Sequence, residues 1–169
     1  MSDVDRSQVA AKAKEFVDGG NYTYKQFRGK GWQTDSYMDC SEFVYQSYKA
    51  AGFTNFPDFN TGAMAAAASK NASIEDYSVA AKAKDNQGGF FWIKAEGDVV
   101  SGDIIYWPGH VGIVEDPKEG TFLAAASTKS GLRADNYKSG PYWSQRKGRV
   151  FIRYLPPPTK AKIPGEAAE

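Results

Sequence analysis

The sequence contains one cysteine and one histidine, Cys40 and His110. Cys40 lies in DCSEFVYQSYKAAGF, at the start of an amphipathic helical pattern, and His110 begins the strand pattern HVGIVED. Unpaired backbone N–H groups at a helix start stabilise a thiolate and can hold the oxyanion of a tetrahedral intermediate. A thiolate there, facing an imidazole on a sheet, supplies the nucleophile and base of a cysteine hydrolase. Because there is one residue of each type, no competing pair exists.

A lone cysteine is more often a small buried hydrophobe, and a lone histidine is usually structural. Two local details favour a catalytic role for these residues. Cys40 has polar neighbours, in DCSE, where a packing cysteine prefers apolar ones. Pro108-Gly109 precedes His110 and predicts a side chain at the mouth of a hairpin, close to solvent, with Gly112 leaving space on the same strand face.

Hydrophobic periodicity predicts the elements that position these residues. We expect a first helix around 9–17, ended by Gly19-Gly20, and a second that opens at Asp39 or Cys40 and stops at Gly52. Asn60 or Thr61 can cap a third helix through GAMAAAASK. The segment 71–89 is mixed, and five strands follow: FFWIK, DIIYW, HVGIVE, TFLAAAS and RVFIRYL. Helices followed by strands predict an α+β fold with the helices on a mainly antiparallel sheet.

Composition narrows the function classes. The 169 residues are 41% hydrophobic and 24% charged with a net charge of +1, so the sequence predicts a globular domain without a nucleic-acid or membrane partner. One cysteine makes no internal disulfide and too few soft ligands for zinc, and we expect no cofactor. The N-terminal MSDVDRSQVAAKAKEFV is too polar for a secretory signal, which leaves open a removed signal or another export route.

DCSEFV, followed by GDIIYW and HVGIV, resembles the NlpC/P60 cysteine peptidases, papain-like hydrolases of bacterial cell-wall peptides. The family reads DCSG at the nucleophile and PGDLVFF, a short gap and HVGIYLG at the base. The resemblance covers about Tyr22 to Thr128, with an insertion near 71–97. It implies a papain-like NlpC/P60 fold, with one catalytic domain over 1–155. The composition of PPPTKAKIPGEAAE predicts a flexible Pro-rich tail over 156–169.

The resemblance implies roles by position. Cys40 is the candidate nucleophile, His110 the general base, and Tyr24 a residue that helps bind the oxyanion or simply packs. The candidate substrate-binding residues are Ser41, Trp107 and Trp32. Asp103 is expected to be structural, capping the turn before its strand.

Two departures from the family pattern stand out. Glu42 follows DCS where the family has Gly, and we expect its carboxylate to face solvent, since near the thiol it would raise the pKa. The family's imidazole-orienting residue falls on alanine here, because Ala125 or Ala126 lies opposite His110. Ser127 is the candidate replacement. Asp116, a main-chain carbonyl or a water are the alternatives, and a dyad is also sufficient.

The function implied by the resemblance is hydrolysis of amide bonds in peptidoglycan stem peptides, at the D-glutamyl–diamino acid link or a neighbouring cross-link. The protein would act in the periplasm or at the cell wall. Its compactness also fits an antibacterial effector, such as one delivered by type VI secretion, whose partner would be an immunity protein. An acyltransferase or transglutaminase-like enzyme and a non-catalytic binding module are the alternatives.

Overall fold

A computed structural model describes residues 6–19, 23–24, 37–57, 89–127 and 131–156. In these ranges there are two α-helices, a short 3-10 helix at Glu96–Asp98 and eight strands. The helices are α1 (Ser7–Asp18) and α2 (Cys40–Ala50), and the strands are β1 (Thr23–Tyr24), β2 (Tyr37–Met38), β3 (Gly89–Ile93), β4 (Ile104–Trp107), β5 (His110–Asp116), β6 (Thr121–Ser127), β7 (Gly131–Asn136) and β8 (Val150–Leu155).

Six strands form one antiparallel sheet in the order β3-β8-β4-β5-β6-β7, and β1 and β2 form a separate parallel pair. The predicted α+β class is confirmed, but the sheet has six strands where five were predicted. The missed strand is β7, GLRADN, whose charged and small residues lack the apolar alternation of a half-buried strand. The predicted third helix, the segment 71–88 and the tail from 157 lie outside the described residues.

Both described helices form where the sequence predicts them. Asp39 caps α2, its Oδ1 accepting the backbone N–H of Glu42 at 2.7 Å, which satisfies a donor that the first turn leaves unpaired. After α2, Gly52 adopts a φ of 100°, a left-handed conformation that glycine reaches without steric cost. Cys40 is therefore fixed as the first residue of a well-capped helix.

The sheet separates two layers of side chains. The helix-side layer contains residues of α1 and α2 together with Val111, Ile113 and Leu123. The outer layer, on the opposite face, contains Trp107, Val114, Phe122 and their neighbours. Successive residues of a strand point to opposite faces, so adjacent positions of β5 belong to different layers.

Asp103, before β4, joins the sheet to α1. Its carboxylate is fully buried, accepts the N–H of Val100 at 2.8 Å and is held by both Nε and Nη2 of Arg153 at 2.8 Å. Arg6 Nε lies 3.8 Å from the same carboxylate. The predicted structural role of Asp103 is confirmed. In the part of the chain that is described, no helix is long and apolar enough to cross a membrane.

Candidate active site

Cys40 lies in the helix-side layer, with only 6% of its surface exposed. Burial raises the pKa of its thiol to about 11, and the nearby Asp39 carboxylate adds to the rise. Hydrogen bonding from the backbone of Val111 is the largest opposing influence, followed by the backbone of Ser41 and of Cys40 itself. In the observed arrangement the sulfur is therefore a neutral thiol at physiological pH.

Ser41, a predicted substrate-binding residue, is part of the helix cap. It is buried, and its Oγ donates to Asp39 Oδ1 at 3.1 Å. This hydrogen bond holds the hydroxyl beside the cap, so the group that Ser41 can offer to the site is its backbone N–H.

His110 is the first residue of β5 and lies in the outer layer. Its ring stacks on Trp143 at a centroid distance of 4.6 Å and also lies 6.1 Å from Trp107. Burial, and then the positive charge of Arg146, lower the pKa of His110 to about 4, so the imidazole is neutral. The prediction that this side chain is close to solvent is wrong, because Trp143 covers it and leaves 5% exposed.

The Cys40 thiol is close to the backbone of Val111, the residue after His110, but it does not contact the imidazole. Val111 points into the helix-side layer with Cys40, and the imidazole of the preceding residue, His110, points to the outer face. No hydrogen bond joins the thiol to the imidazole, and within the described residues His110 Nε2 has no hydrogen-bond partner. The structure thus brings Cys40 to the strand that carries His110, and the catalytic pair stays a prediction.

The other predicted site residues have different outcomes. Trp107 is fully buried, because it packs between Phe122 and Trp143, so it is a core residue and not the substrate contact that was predicted. Tyr24 pairs through its backbone with Met38, two residues before Cys40, but its side chain is not described. The side chain of Ser127 and all of Trp32 also lie outside what is described.

The register of β5 and β6, with Ile113 opposite Leu123, extends to place Ala126 opposite His110, and these two residues line one cavity. Asp116, an alternative orienting residue, lies at the far end of β5, where its Oδ1 accepts the N–H groups of Lys118 and Glu119. The prediction that Glu42 faces solvent is wrong, since this residue is 5% exposed and accepts a hydrogen bond from Gln46 Nε2 at 3.3 Å.

Gly112 also differs from its prediction. A Cβ at this position would lie 2.8 Å from the Leu123 carbonyl oxygen and 3.0 Å from a ring carbon of Phe122. The glycine therefore does not leave space beside His110, but allows β6 to pack closely against β5.

Sequence reasoning missed the residues that surround the imidazole. They come from β7 and from the PYWSQR segment before β8: Arg133, Asp135, Tyr142, Trp143 and Arg146. The available signal was the pairing of adjacent aromatic residues with an arginine in PYWSQR. In the described ranges, no group of three or more His, Cys, Asp or Glu side chains could hold a metal ion.

Comparison with known proteins identifies the fold. No family model and no curated protein matches the sequence. Among solved structures, the chain is similar to the NlpC/p60 domain of the peptidoglycan hydrolase SagA, with 16% identity, a TM-score of 0.49, and coverage of 88% of this chain and 97% of that one. It is also similar to NlpC2 from Trichomonas vaginalis, with 17% identity, a TM-score of 0.54, and coverage of 92% of this chain.

The chain spans about half of the NlpC2 chain, 49% of its length. The agreement with NlpC2 extends over nearly the whole of the present chain. The protein therefore has the papain-like α+β fold of NlpC/P60 domains, as the motifs predict.

Proposed function

We propose that this protein is a cysteine hydrolase that cleaves amide bonds in peptidoglycan stem peptides. The observation that carries the proposal is the position of Cys40. It lies at the N-terminus of a capped helix and against the backbone of Val111, the residue that follows the single histidine in the sequence. The DCSE and HVGIV motifs occupy these two places on an NlpC/P60 fold. The substrate class, a D-glutamyl–diamino acid link or a neighbouring cross-link, follows from the resemblance.

Proton transfer has to be reconciled with the resting state. Both groups are in their neutral forms, which are the starting forms for general-base catalysis, but a thiol pKa of about 11 and an imidazole pKa of about 4 make the proton transfer strongly unfavourable while each group stays buried. His110 is paired with Trp107 in the β4–β5 ladder, so rotation of the ring alone does not bring it through the sheet, and the start of β5 must unpair before the imidazole can approach Sγ. Gly109, at φ 82°, precedes His110 and gives the β4–β5 turn conformational freedom for this change. We place this movement in the substrate complex.

The chemical steps then follow those of a thiol hydrolase. His110 takes the thiol proton, Sγ attacks the amide carbonyl, and backbone N–H groups at the start of α2 hold the oxyanion, with Tyr24 as the candidate additional donor. His110 gives the proton to the leaving amine as the C–N bond breaks. Water then attacks the thioester and releases the acid and the free thiol. Ser127 remains the candidate for orienting the imidazole, and the dyad is sufficient without it.

On this proposal the protein acts in the periplasm or at the cell wall, where its substrate is. A role as an antibacterial effector would add an immunity protein that blocks substrate access. An acyltransferase would use the same thioester but give transfer products when an amine is added.

The test is digestion of purified sacculi, with mass spectrometry of the released fragments. We expect wild type to release fragments with a newly cleaved stem amide, and Cys40→Ala to lower the rate by more than about 10³-fold. Ser47→Ala is the matched control, since it removes a fully buried hydroxyl from the same helix without touching the sulfur. Equal release by wild type and Cys40→Ala would refute the proposal.

A non-catalytic binding module is the second candidate, favoured by the separation of the imidazole and the thiol on opposite faces of the sheet. It predicts that the protein sediments with sacculi, releases no fragments, and retains this binding in Cys40→Ala. Fragment release that depends on Cys40 would exclude it.

A further inference from the structure

The outer face of the sheet carries a cavity beside His110, on the face opposite Cys40. Its volume is about 540 Å³, within the usual size of small-molecule sites. The walls come from the β4–β5 turn, from β6 and β7, and from the segment before β8. The side chains that matter for its chemistry are His110, Arg133, Asp135, Tyr142, Trp143 and Arg146.

The cavity has one uncompensated positive charge. Arg133 Nη2 lies 3.0 Å from Asp135 Oδ1, so this pair is neutral overall. Arg146 has no carboxylate partner among the described residues. Its Nη2 donates to the Pro108 carbonyl at 2.7 Å, and its guanidinium lies 5.5 Å from the ring centroid of Trp143. These contacts fix the position of the guanidinium and leave its charge without an anion.

His110 brings an unused hydrogen-bonding group to the same cavity. His110 is 5% exposed, and no described residue is a hydrogen-bond partner of its Nε2. Buried polar atoms in folded proteins are nearly always hydrogen-bonded, and an exception calls for an explanation. Nε2 itself has almost no accessible surface, so a ligand oxygen would accept its hydrogen bond, in the tautomer that carries the proton there, once the half-buried Trp143 ring that stacks on the imidazole shifts.

We propose that this cavity binds a ligand with a single carboxylate, which pairs with the Arg146 guanidinium and accepts the hydrogen bond of His110 Nε2. The Tyr142 ring, which is 62% exposed, covers the apolar part of the ligand. A dianion such as phosphate is disfavoured, because Asp135 stands in the wall and only one guanidinium lacks a partner. The inference shares His110 with the proposed hydrolysis but does not rest on it, because it concerns the ring in its resting position against Trp143 and its test measures ligand binding and not amide cleavage.

The single histidine gives a direct assay, because the imidazole Cε1–H signal of wild-type protein in proton NMR has one source. The probes are N-acetylalanine, its neutral analogue N-acetylalaninamide, and inorganic phosphate. We expect N-acetylalanine to shift the signal saturably and to raise the pKa of His110 above about 4, since a bound anion favours the imidazolium. Arg133, Asp135 and Arg146 are the charged groups of the cavity wall, and they are present in every titration.

Three results of this titration would overturn the proposal. They are no saturable shift with N-acetylalanine, an equal response to the amide, and phosphate binding at least as tight as the carboxylate.

Variants then locate the site. Arg146→Gln should weaken N-acetylalanine binding at least about tenfold, and Arg146→Lys, which keeps the charge but loses the planar fork, should weaken it less. Lys147→Gln is the matched control, because it removes the same charge from an exposed neighbour that does not line the cavity. Equal weakening by Arg146→Gln and Lys147→Gln would show a non-specific charge effect and overturn the assignment. Arg146→Lys serves in the event that Arg146→Gln does not fold.

Discussion

The two faces of the sheet treat their reactive groups differently. On the helix side, Cys40 is enclosed by an apolar layer, and burial, with a smaller contribution from the Asp39 carboxylate, makes the thiolate costly. On the outer side, His110 is enclosed by indole rings, and the arginine beside it adds electrostatic repulsion of the imidazolium. Both groups are therefore held neutral. On the helix side the main cause is burial in the apolar layer, and on the outer side the causes are the aromatic rings that cover His110 and the neighbouring arginine charge.

Substitution of one large aromatic residue on each side tests this contrast in packing. Phe43 is fully buried on the helix side, so Phe43→Ala should lower the free energy of unfolding by about 3–5 kcal/mol. Trp143 is half-buried, and Trp143→Ala should cost less, about 2 kcal/mol, because less apolar area leaves the protein interior.

Urea titration of both variants supplies the measurement. A Trp143→Ala cost as large as that of Phe43→Ala would mean that the outer side is as deep a core as the helix side.

The pH dependence of the free energy of unfolding tests the environment of His110 on the outer side. The pKa of His110 is about 4 in the folded protein and near 6.5 in an unfolded chain, so the unfolded state binds the proton first as pH falls. The contribution of neutral His110 to the free energy of unfolding is fully present above pH 6.5. It falls by about 3 kcal/mol in total as the pH drops from 6.5 to 4.

His110→Phe keeps a ring against Trp143 but does not titrate, which makes it the control for the other acidic groups. Unfolding free energies of both proteins across this range give the comparison. Parallel curves for the two proteins would show that burial does not hold the imidazole neutral.

The rate of Cys40 alkylation measures how far burial on the helix side suppresses the thiolate. A thiol with a pKa of about 11, against an ordinary value of 9.0, has about 100-fold less thiolate at neutral pH. Folded protein should therefore react with iodoacetamide at least about 100-fold more slowly than the same cysteine in urea. A folded rate equal to or above the unfolded one would mean that the imidazole already reaches the sulfur without substrate.

Gly112→Ala should have the smallest effect and tests the close contact between β5 and β6. The new methyl group would lie 2.8 Å from the Leu123 carbonyl oxygen, and we expect a loss of about 1–3 kcal/mol. Gly97→Ala is the control, since a Cβ there meets nothing within 4 Å. Thermal unfolding of the two variants decides the point, and equal melting temperatures would contradict the observed spacing.

The sequence was informative where one local pattern determines the outcome. The start of α2 at Cys40 follows from a capping aspartate before an apolar helical period, and strands such as β4 and β5 follow from their apolar runs. The edge strand β7 could not be predicted, because its formation depends on the hydrogen bonds that β6 offers. The motifs also suggested a preformed Cys–His contact, whereas the register of β5 places His110 on the outer face, where Trp143, 33 residues later in the chain, stacks on it.

β8 has a consequence for how the chain folds. It is the last of the described strands, yet it lies inside the sheet between β3 and β4, and Arg153 within it binds Asp103. During synthesis on the ribosome, β3 therefore has no neighbour in the sheet until residues 150–155 have emerged. Such late, long-range pairing slows folding and leaves strand edges open to other chains. Truncation before Val150 should accordingly yield aggregates and not a smaller folded domain.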